Sequence, residues 1–376
     1  MIPVFEPDLG EEEIAAVADA IRRGEISGSF GESIPRFEEA FAHYCDCKFA
    51  VAVSSGTAAL HLAVAALELK PGDEILVSAS TNIATALAAY HNNVVPIPVD
   101  SERQTWNLDV DLVESLITPK TRAILPVHLF GRAVDMERVC EIARTHNLVV
   151  IEDCAESHGA TFGNRKTGSF GEMGCFSFYA NKIITTGEGG MIVTNNAKLA
   201  EKLKLLRNLA FTTPRFRHEL AGYNFRMTGY QAAMGLVQCK KIEKVIAEKI
   251  RVAKTYDHFL SKVGGLQLPA PPKNGRHVYW MYGLVVQPEF GITRDELQKR
   301  LRDSGVDTRT FFCPMNLQPA LQKQPGYRRV ECPVAESLWK TGFYLPSSPT
   351  LSEKTIRQVA ETILQIAEAS RAKITA

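Results

Sequence analysis

The sequence predicts an α/β protein whose core is a largely parallel sheet, and three observations predict it. Short β-branched runs at Ala50–Val53, Ile75–Ser78, Val94–Val99, Ala123–His128 and Leu148–Ile151 recur with helical spacing between them. Strands that alternate with helices are joined by right-handed crossovers into a parallel sheet. A length of 376 residues, 45% of them hydrophobic, is enough to bury a large core. Finally, Gln231 to Lys262 keeps helical periodicity over a length suited to a connector, and Pro269-Ala270-Pro271-Pro272 follows as a stiff extended link. Together these suggest a large domain over residues 1–250 and a smaller one over 251–376.

Taken in order, Ile14, Val17 and Ile21 fall at helical spacing between Glu11 and Arg23, and Gly24 follows as a stop, which gives an amphipathic surface helix. Glu25 to Gly31 is too rich in small residues to pack, and reads either as a plain loop or as a segment that closes over a ligand. A helix from Ile34 to Tyr44 leads into the strand Ala50–Val53. Pro71-Gly72-Asp73-Glu74 turns the chain into Ile75–Ser78, Thr81 to Tyr90 is helical, and Val94–Val99 is the next strand. Asp109 caps a helix from Val110 to Ile117, and Met136 to His146 forms another. Phe176 and Phe178 alternate with Ser177 as in a half-buried strand. Met191 to Thr194 is the returning strand, and Gly187 to Gly190 is the tight link between them. Ala197 to Leu209 is helical. Beyond the proline link, Val278 to Val286 and Thr308 to Cys313 are strands. Thr293-Arg294-Asp295-Glu296 is a capping box that opens a helix ended by Gly305. After Ser352, the last helix sets Ile356, Val359, Ile363 and Ile366 on one face.

Composition narrows the function. A formal net charge of +1 gives no footprint for nucleic acid or an anionic membrane. The start of the chain, Met1 to Asp8, has no basic segment followed by an apolar one, and no run reaches membrane-spanning length, so the cytoplasm is expected. Eight scattered cysteines read as reduced small hydrophobes. Cys45-Asp46-Cys47 lacks the spacing and the second pair of a zinc site, and no metal is assigned.

Three stretches carry chemistry. Ser54-Ser55-Gly56-Thr57 joins a strand to a helix and offers unpaired N–H groups with the positive end of a helix dipole, which suits a phosphate. It is neither a Walker loop nor a three-glycine dinucleotide turn, and a merely serine-capped helix stands as an equal alternative. Glu152-Asp153 ends a strand at the edge where such folds bind ligands, although an acid there also serves as a helix cap. Lys182 lies in an apolar run closed by Gly187-Glu188-Gly189-Gly190. Burial lowers an amine's pKa and frees it as nucleophile or base, whereas a lysine at a strand end also snorkels to solvent.

The three stretches in this order make up the parts a pyridoxal phosphate enzyme needs: a phosphate cradle, a carboxylate for a pyridinium nitrogen and a Schiff-base lysine. The chain resembles the DegT-type aminotransferases that act on nucleotide-linked keto-sugars, over nearly its whole length. Asn181-Lys182-Ile183-Ile184-Thr185-Thr186-Gly187-Glu188-Gly189-Gly190-Met191 and Arg276-His277-Val278-Tyr279-Trp280-Met281-Tyr282 are worded most like GDP-perosamine synthases. The resemblance implies the type I fold of pyridoxal phosphate transferases. That fold has a large domain with a mostly parallel seven-stranded sheet between helices and a smaller C-terminal α+β domain.

It also implies roles. Lys182 and Asp153 are the catalytic pair, with Lys182 holding the cofactor and Asp153 facing its ring nitrogen. Glu156 contacts the ring hydroxyl, and Gly56, Thr57 and Ser177 contact the phosphate. Asn224 is donated from the neighbouring subunit of a homodimer with shared active sites. Ser27, His158, Arg226 and Arg309 are candidate substrate contacts, the two arginines for the diphosphate. Asn82 stands where relatives stack an aromatic on the ring, and Phe312-Cys313-Pro314-Met315-Asn316 has cysteine and asparagine where perosamine synthases tend to carry histidines. The implied reaction moves an amino group from an amino acid, usually L-glutamate, to C4 of a 4-keto-6-deoxy sugar nucleotide for surface glycans. Amination at C3 of a dTDP- or UDP-linked sugar and a non-catalytic regulatory homologue are the alternatives. A sugar dehydratase on the same fold replaces the lysine by histidine, and here the lysine is present.

Overall fold

The structure, a computed structural model, describes residues 1–372. In chain order the first half sets down α1 (Glu11–Arg22), α2 (Ser33–Tyr44), β1 (Phe49–Val53), α3 (Gly56–Ala66), β2 (Glu74–Ser78), α4 (Ala84–Tyr90) and β3 (Val95–Val99). Then follow α5 (Val113–Leu116), β4 (Thr121–Leu125), α6 (Met136–Thr145), β5 (Val149–Asp153), a hairpin of β6 (Thr161–Phe162) and β7 (Arg165–Lys166), β8 (Met173–Ser177) and β9 (Gly190–Thr194). Seven of these strands form one sheet in the order β1-β9-β8-β5-β4-β2-β3, parallel except for β9. The strand-helix alternation read from the sequence therefore builds the expected mostly parallel seven-stranded sheet.

Burial on both faces explains the apolar runs. Every residue of β2, β3, β8 and β9 is buried. Along β8, Met173 and Cys175 join Val51, Val53 and Ile192 in one core, while Phe176 meets Phe41 edge-on at 4.9 Å in the other. The half-buried alternation expected around Ser177 is thus corrected, because helices cover both sides of a parallel sheet. The link to β9 is also longer than Gly187–Gly190: residues 178–189 form a loop, and Gly190 already pairs with Ser177.

After α7 (Ala197–Arg207), α8 (Gly229–Leu260) runs for 32 residues through two cores. Ile242 and Ile246 pack with Phe37 and Phe41, while Val252, Tyr256 and Leu260 pack with Tyr282, Phe343, Ile356 and Val359. The second core lies under a four-stranded antiparallel sheet, ordered β10 (Leu266–Gln267), β11 (Tyr282–Val286), β13 (Gly342–Leu345), β12 (Arg309–Thr310). Around it stand α9 (Arg294–Asp303), α11 (Pro333–Thr341) and α12 (Glu353–Ala372), while the short α10 (Pro319–Gln322) packs through Leu321 on Ala86 of α4. Thr293 Oγ accepts the Glu296 N–H at 3.3 Å to open α9, and Gly305 follows that helix with φ +80°.

Three sequence expectations change here. The strand expected from Val278 begins only at Tyr282, because Tyr279 takes a positive φ of 49° and breaks the extended run. Thr308 to Cys313 shrinks to a two-residue strand, and the inner strand β13 was not foreseen. The apolar stripe of α1 faces outward: Ile14 is 62% and Ile21 54% exposed, while Glu13 and Ala20 are buried against α8. Glu13 tolerates that position because Lys241 and Gln238, both on α8, bind its carboxylate at 2.5 and 2.8 Å.

Candidate active site

Three strands bring the chemistry level. Val53 and Ser177 both stand opposite Gly190 on β9, and Asp153 stands opposite Cys175, so β1, β8 and β5 end at one edge of the sheet. At that edge Ser55 caps α3 by accepting the Ala58 N–H at 3.1 Å, and the first turn of the helix lines a cavity. The structure shows the serine cap, and the helix start keeps other N–H groups without intrahelical acceptors that an anion could meet. Glycine is required twice. A Cβ on Gly56 would lie 2.6 Å from Ser177 Cβ, and one on Gly190 would lie 2.3 Å from Ser55 O.

At the end of β5, alternation sends the two acids to opposite duties. Glu152 is fully buried and spent on structure: it accepts the N–H groups of Gly168, Phe170 and Gly171 at 2.7–2.8 Å. His128 Nδ1 accepts from the Val134 N–H, so its Nε2 carries the hydrogen donated to Glu152 at 3.1 Å. Asp153 faces the cavity. Burial raises its pKa, opposed by hydrogen bonds from Thr85 Oγ1 at 2.8 Å and the Ala155 N–H at 3.1 Å, and by the Lys182 charge. Thr81 in turn bonds Thr85 at 2.9 Å.

Lys182 sits in the 178–189 loop, five residues beyond the end of β8. The residue is part-buried because the cavity reaches it, but its amine is enclosed: Nζ stands 3.9 Å above the Trp280 ring. Desolvation lowers its pKa, against the pull of Glu156 and Asp153. Glu156 is 4% exposed and its carboxyl is pushed up to about 7, chiefly by burial, although Lys182 and the Phe130 N–H, donated at 2.7 Å, favour the anion. Two carboxyls and one amine in a small low-dielectric space can hold and exchange protons near neutral pH.

The cavity, of about 310 Å³, is lined by Gly56, Thr57, Asn82, Asp153, Glu156, Ser177 and Lys182, all singled out in the sequence. Five others lie elsewhere. His158 does not line the cavity: it is fully buried, 5.2 and 5.7 Å from the Phe176 and Phe178 rings, and burial, with the nearby Lys182 charge, pushes its pKa down to about 3. Arg309 is on the edge strand β12, opposite the cavity-lining Tyr344 and paired with Asp307. Arg226 bridges to Val53 and binds Asn208 Oδ1 at 2.7 Å, and Gly28, next to Ser27, packs against it. Asn224 is exposed beside Asn208. Reasoning from the sequence missed Thr85, Trp280, Phe312 and Tyr344 as parts of the site. Only the spacing of Thr81 and Thr85, one helical turn, was there to suggest the first of them.

These residues fit pyridoxal phosphate. A helix start faces where an anionic group would lie, Asp153 offers a buried carboxylate, and Lys182 offers an amine held toward neutrality. Asn181 Oδ1, also on the lining, is buried and has no hydrogen-bond partner among the described residues, so it is available to a polar group in the cavity. The aromatic surface missing at Asn82 is available from Trp280, Phe312 and Tyr344.

Comparison with known proteins agrees with this geometry. Residues 7–364 match the DegT/DnrJ/EryC1/StrS aminotransferase family. A GDP-perosamine synthase of Caulobacter vibrioides is 41% identical over 97% of this chain and 98% of its own. Another, from Escherichia coli O157:H7, is 38% identical over 96% and 97%. Among solved structures, the E. coli GDP-4-keto-6-deoxy-D-mannose-3-dehydratase with bound hydrated PLP superposes with a TM-score of 0.90 at 26% identity, covering 96% of this chain and 99% of that one.

Proposed function

Because the chain belongs to the DegT/DnrJ/EryC1/StrS aminotransferase family and is a pyridoxal phosphate-dependent sugar-nucleotide aminotransferase, we propose that its acceptor is a GDP-linked 4-keto-6-deoxy sugar, aminated at C4 with L-glutamate as donor. The observation that carries this reading is the single cavity in which Lys182, Asp153, Glu156 and the Gly56 turn meet, in a chain whose relatives of 41% and 38% identity are named GDP-perosamine synthases.

When bound, the cofactor supplies an aldehyde to condense with amines and an electron sink that stabilises negative charge at the reacting carbon. Asp153 would keep the ring nitrogen cationic, and Thr85 orients that carboxylate. The first turn of α3, with Thr57 and Ser177, would hold the phosphate. Glu156, whose carboxyl is raised to about 7, would share a proton with the ring hydroxyl. Lys182 would anchor the cofactor, take the proton from the donor's Cα and later return one at the acceptor's C4. Trp280, Phe312 and Tyr344 form an apolar wall that keeps water from the reacting carbon.

The site is completed by a second copy of the chain. Asn224, Arg226 and Ser27 lie outside their own cavity, Ile26 and Phe30 flank Ser27 along the chain at 58% and 74% exposure, and Ile14 and Ile21 stand exposed on α1 at 62% and 54%. Exposed large apolar side chains of this kind suit an interface. In this reading Asn224 reaches the partner's cavity, Arg226 and Ser27 follow it, and Arg309 meets the nucleotide's diphosphate.

The test is amino transfer by purified holoenzyme, with glutamate and GDP-, UDP- or dTDP-linked 4-keto-6-deoxy sugars compared side by side. Turnover with the GDP sugar, giving a 4-amino product, is expected. Turnover confined to a dTDP or UDP sugar, or a 3-amino product, overturns the substrate assignment. Failure of glutamate to bleach the cofactor's visible band overturns the choice of donor.

A further inference from the structure

We propose that Lys249, in the middle of α8 and outside the cavity, is a positioning residue for the reacting amine: it fixes the Trp280 backbone so that the indole stays beneath Lys182. Lysine is almost never fully buried without a charged partner. Lys249 is 1% exposed, and no carboxylate pairs with it among the described residues. Its Nζ donates instead to two backbone carbonyls, Trp280 O at 2.6 Å and Ser347 O. The Phe5 ring lies 5.0 Å from the same nitrogen. Burial pushes its pKa down to about 7. For stability alone, a methionine or leucine among such neighbours would avoid the desolvation cost.

What the amine achieves is geometric. Residues 278–281 lie outside any strand, so no ladder holds Trp280. Three hydrogen bonds do. Its N–H donates to Phe130 O at 2.9 Å, its carbonyl accepts from Lys249, and its indole Nε1 donates to Asn181 O at 2.7 Å. The last bond fixes the residue before Lys182, and the indole face meets Lys182 Nζ at 3.9 Å. From Lys249 to the reacting amine is therefore one residue, Trp280, touched from both sides. With Lys249 gone, the Trp280 carbonyl is left buried and unpaired, and the indole is free to shift away from Lys182.

This inference rests on Lys182 being the working amine. It is tested with Lys249→Met, Trp280→Phe and the double variant. The readouts are kcat of the holoenzyme, the rate at which a small acylating reagent labels Lys182 in protein freed of cofactor, and the thermal midpoint. Each single change is expected to lower kcat about tenfold and to shift the labelling rate in the same direction, with the double variant no worse than the poorer single. Overturning results are kcat losses that multiply in the double variant, or a Lys249→Met enzyme that loses only thermal stability. Should Lys249→Met not fold, Lys249→Gln, which keeps two N–H donors on a shorter arm, carries the same comparison. Lys182→Ala separates the two ideas: continued turnover there defeats the proposed function itself, whereas its abolition together with multiplying losses defeats only the role of Lys249.

Discussion

A lysine amine in water is protonated at neutral pH and useless as a nucleophile, so the surroundings of Lys182 decide whether the site works. Enclosure over the Trp280 ring lowers its pKa, while Glu156 and Asp153 keep the shift from running further. Lys182→Ala is therefore expected to abolish amino transfer and to remove the visible absorbance of lysine-bound cofactor in an otherwise folded protein, with both read on the same sample. Asp153 depends on a partner that sequence does not advertise. Thr85 donates to its Oδ2, and a hydrogen bond to a charged group is worth about 1.5–3 kcal/mol. Thr85→Val should raise the cofactor dissociation constant about tenfold or more in equilibrium dialysis. An unchanged constant would mean that the Asp153 carboxylate needs no such support.

Elements, too, are finished by residues outside themselves. α2 begins at Ser33 after Glu32, which offers no side-chain cap. Glu25 supplies it from eight residues upstream, accepting the Ser33 N–H at 3.0 Å and the Ser33 hydroxyl at 2.5 Å. The Ser33 hydroxyl leads in holding its carboxyl down to about 2, with Arg23 also contributing. Because the folded pKa is below the unfolded one, this contribution is present above about pH 4.5 and is lost as pH falls through about 2. Glu25→Gln should cost about 1 kcal/mol in urea unfolding at pH 7, and the gap to wild type should narrow as pH is lowered from 4.5 toward 2. A gap independent of pH would sink this account. The same long-range completion limits what sequence can reveal. Local pattern sufficed for β1 and β5 and for the turn at Gly56, because β-branched runs and small-residue turns act through their own neighbours. It failed for Tyr279–Trp280, whose backbone is set by Phe130 and Lys249, far away in the chain. It also failed for α1, where Glu13 faces inward only because α8 provides Lys241 and Gln238. His158, named only through the resemblance, is kept off the cavity lining by the rings of Phe41, Phe176 and Phe178 around it.

At the scale of the whole molecule, one chain supplies the cofactor cavity but leaves Asn224 outside it, and a lone molecule would expose Ile14, Ile21, Ile26 and Phe30 to water. If two copies share their sites, Lys182 and Asn224 of one site come from different chains. Lys182→Ala and Asn224→Ala homodimers would then each be inactive or nearly so. Dissociated, mixed in equal amounts and reassociated, they would form heterodimers in which one site has lost both groups and the other has kept both. With random pairing, about half the dimers are mixed and each has one working site, so about a quarter of wild-type activity should return. Ile14→Asp combined with Ile21→Asp should weaken the dimer and block that recovery, without altering the Lys182 cavity of the single chain. No recovery on mixing, while capture of two differently tagged variants together shows that heterodimers have formed, would place Asn224 and Lys182 in the same chain's site. Full activity in the Asn224→Ala homodimer would remove the partner's contribution altogether.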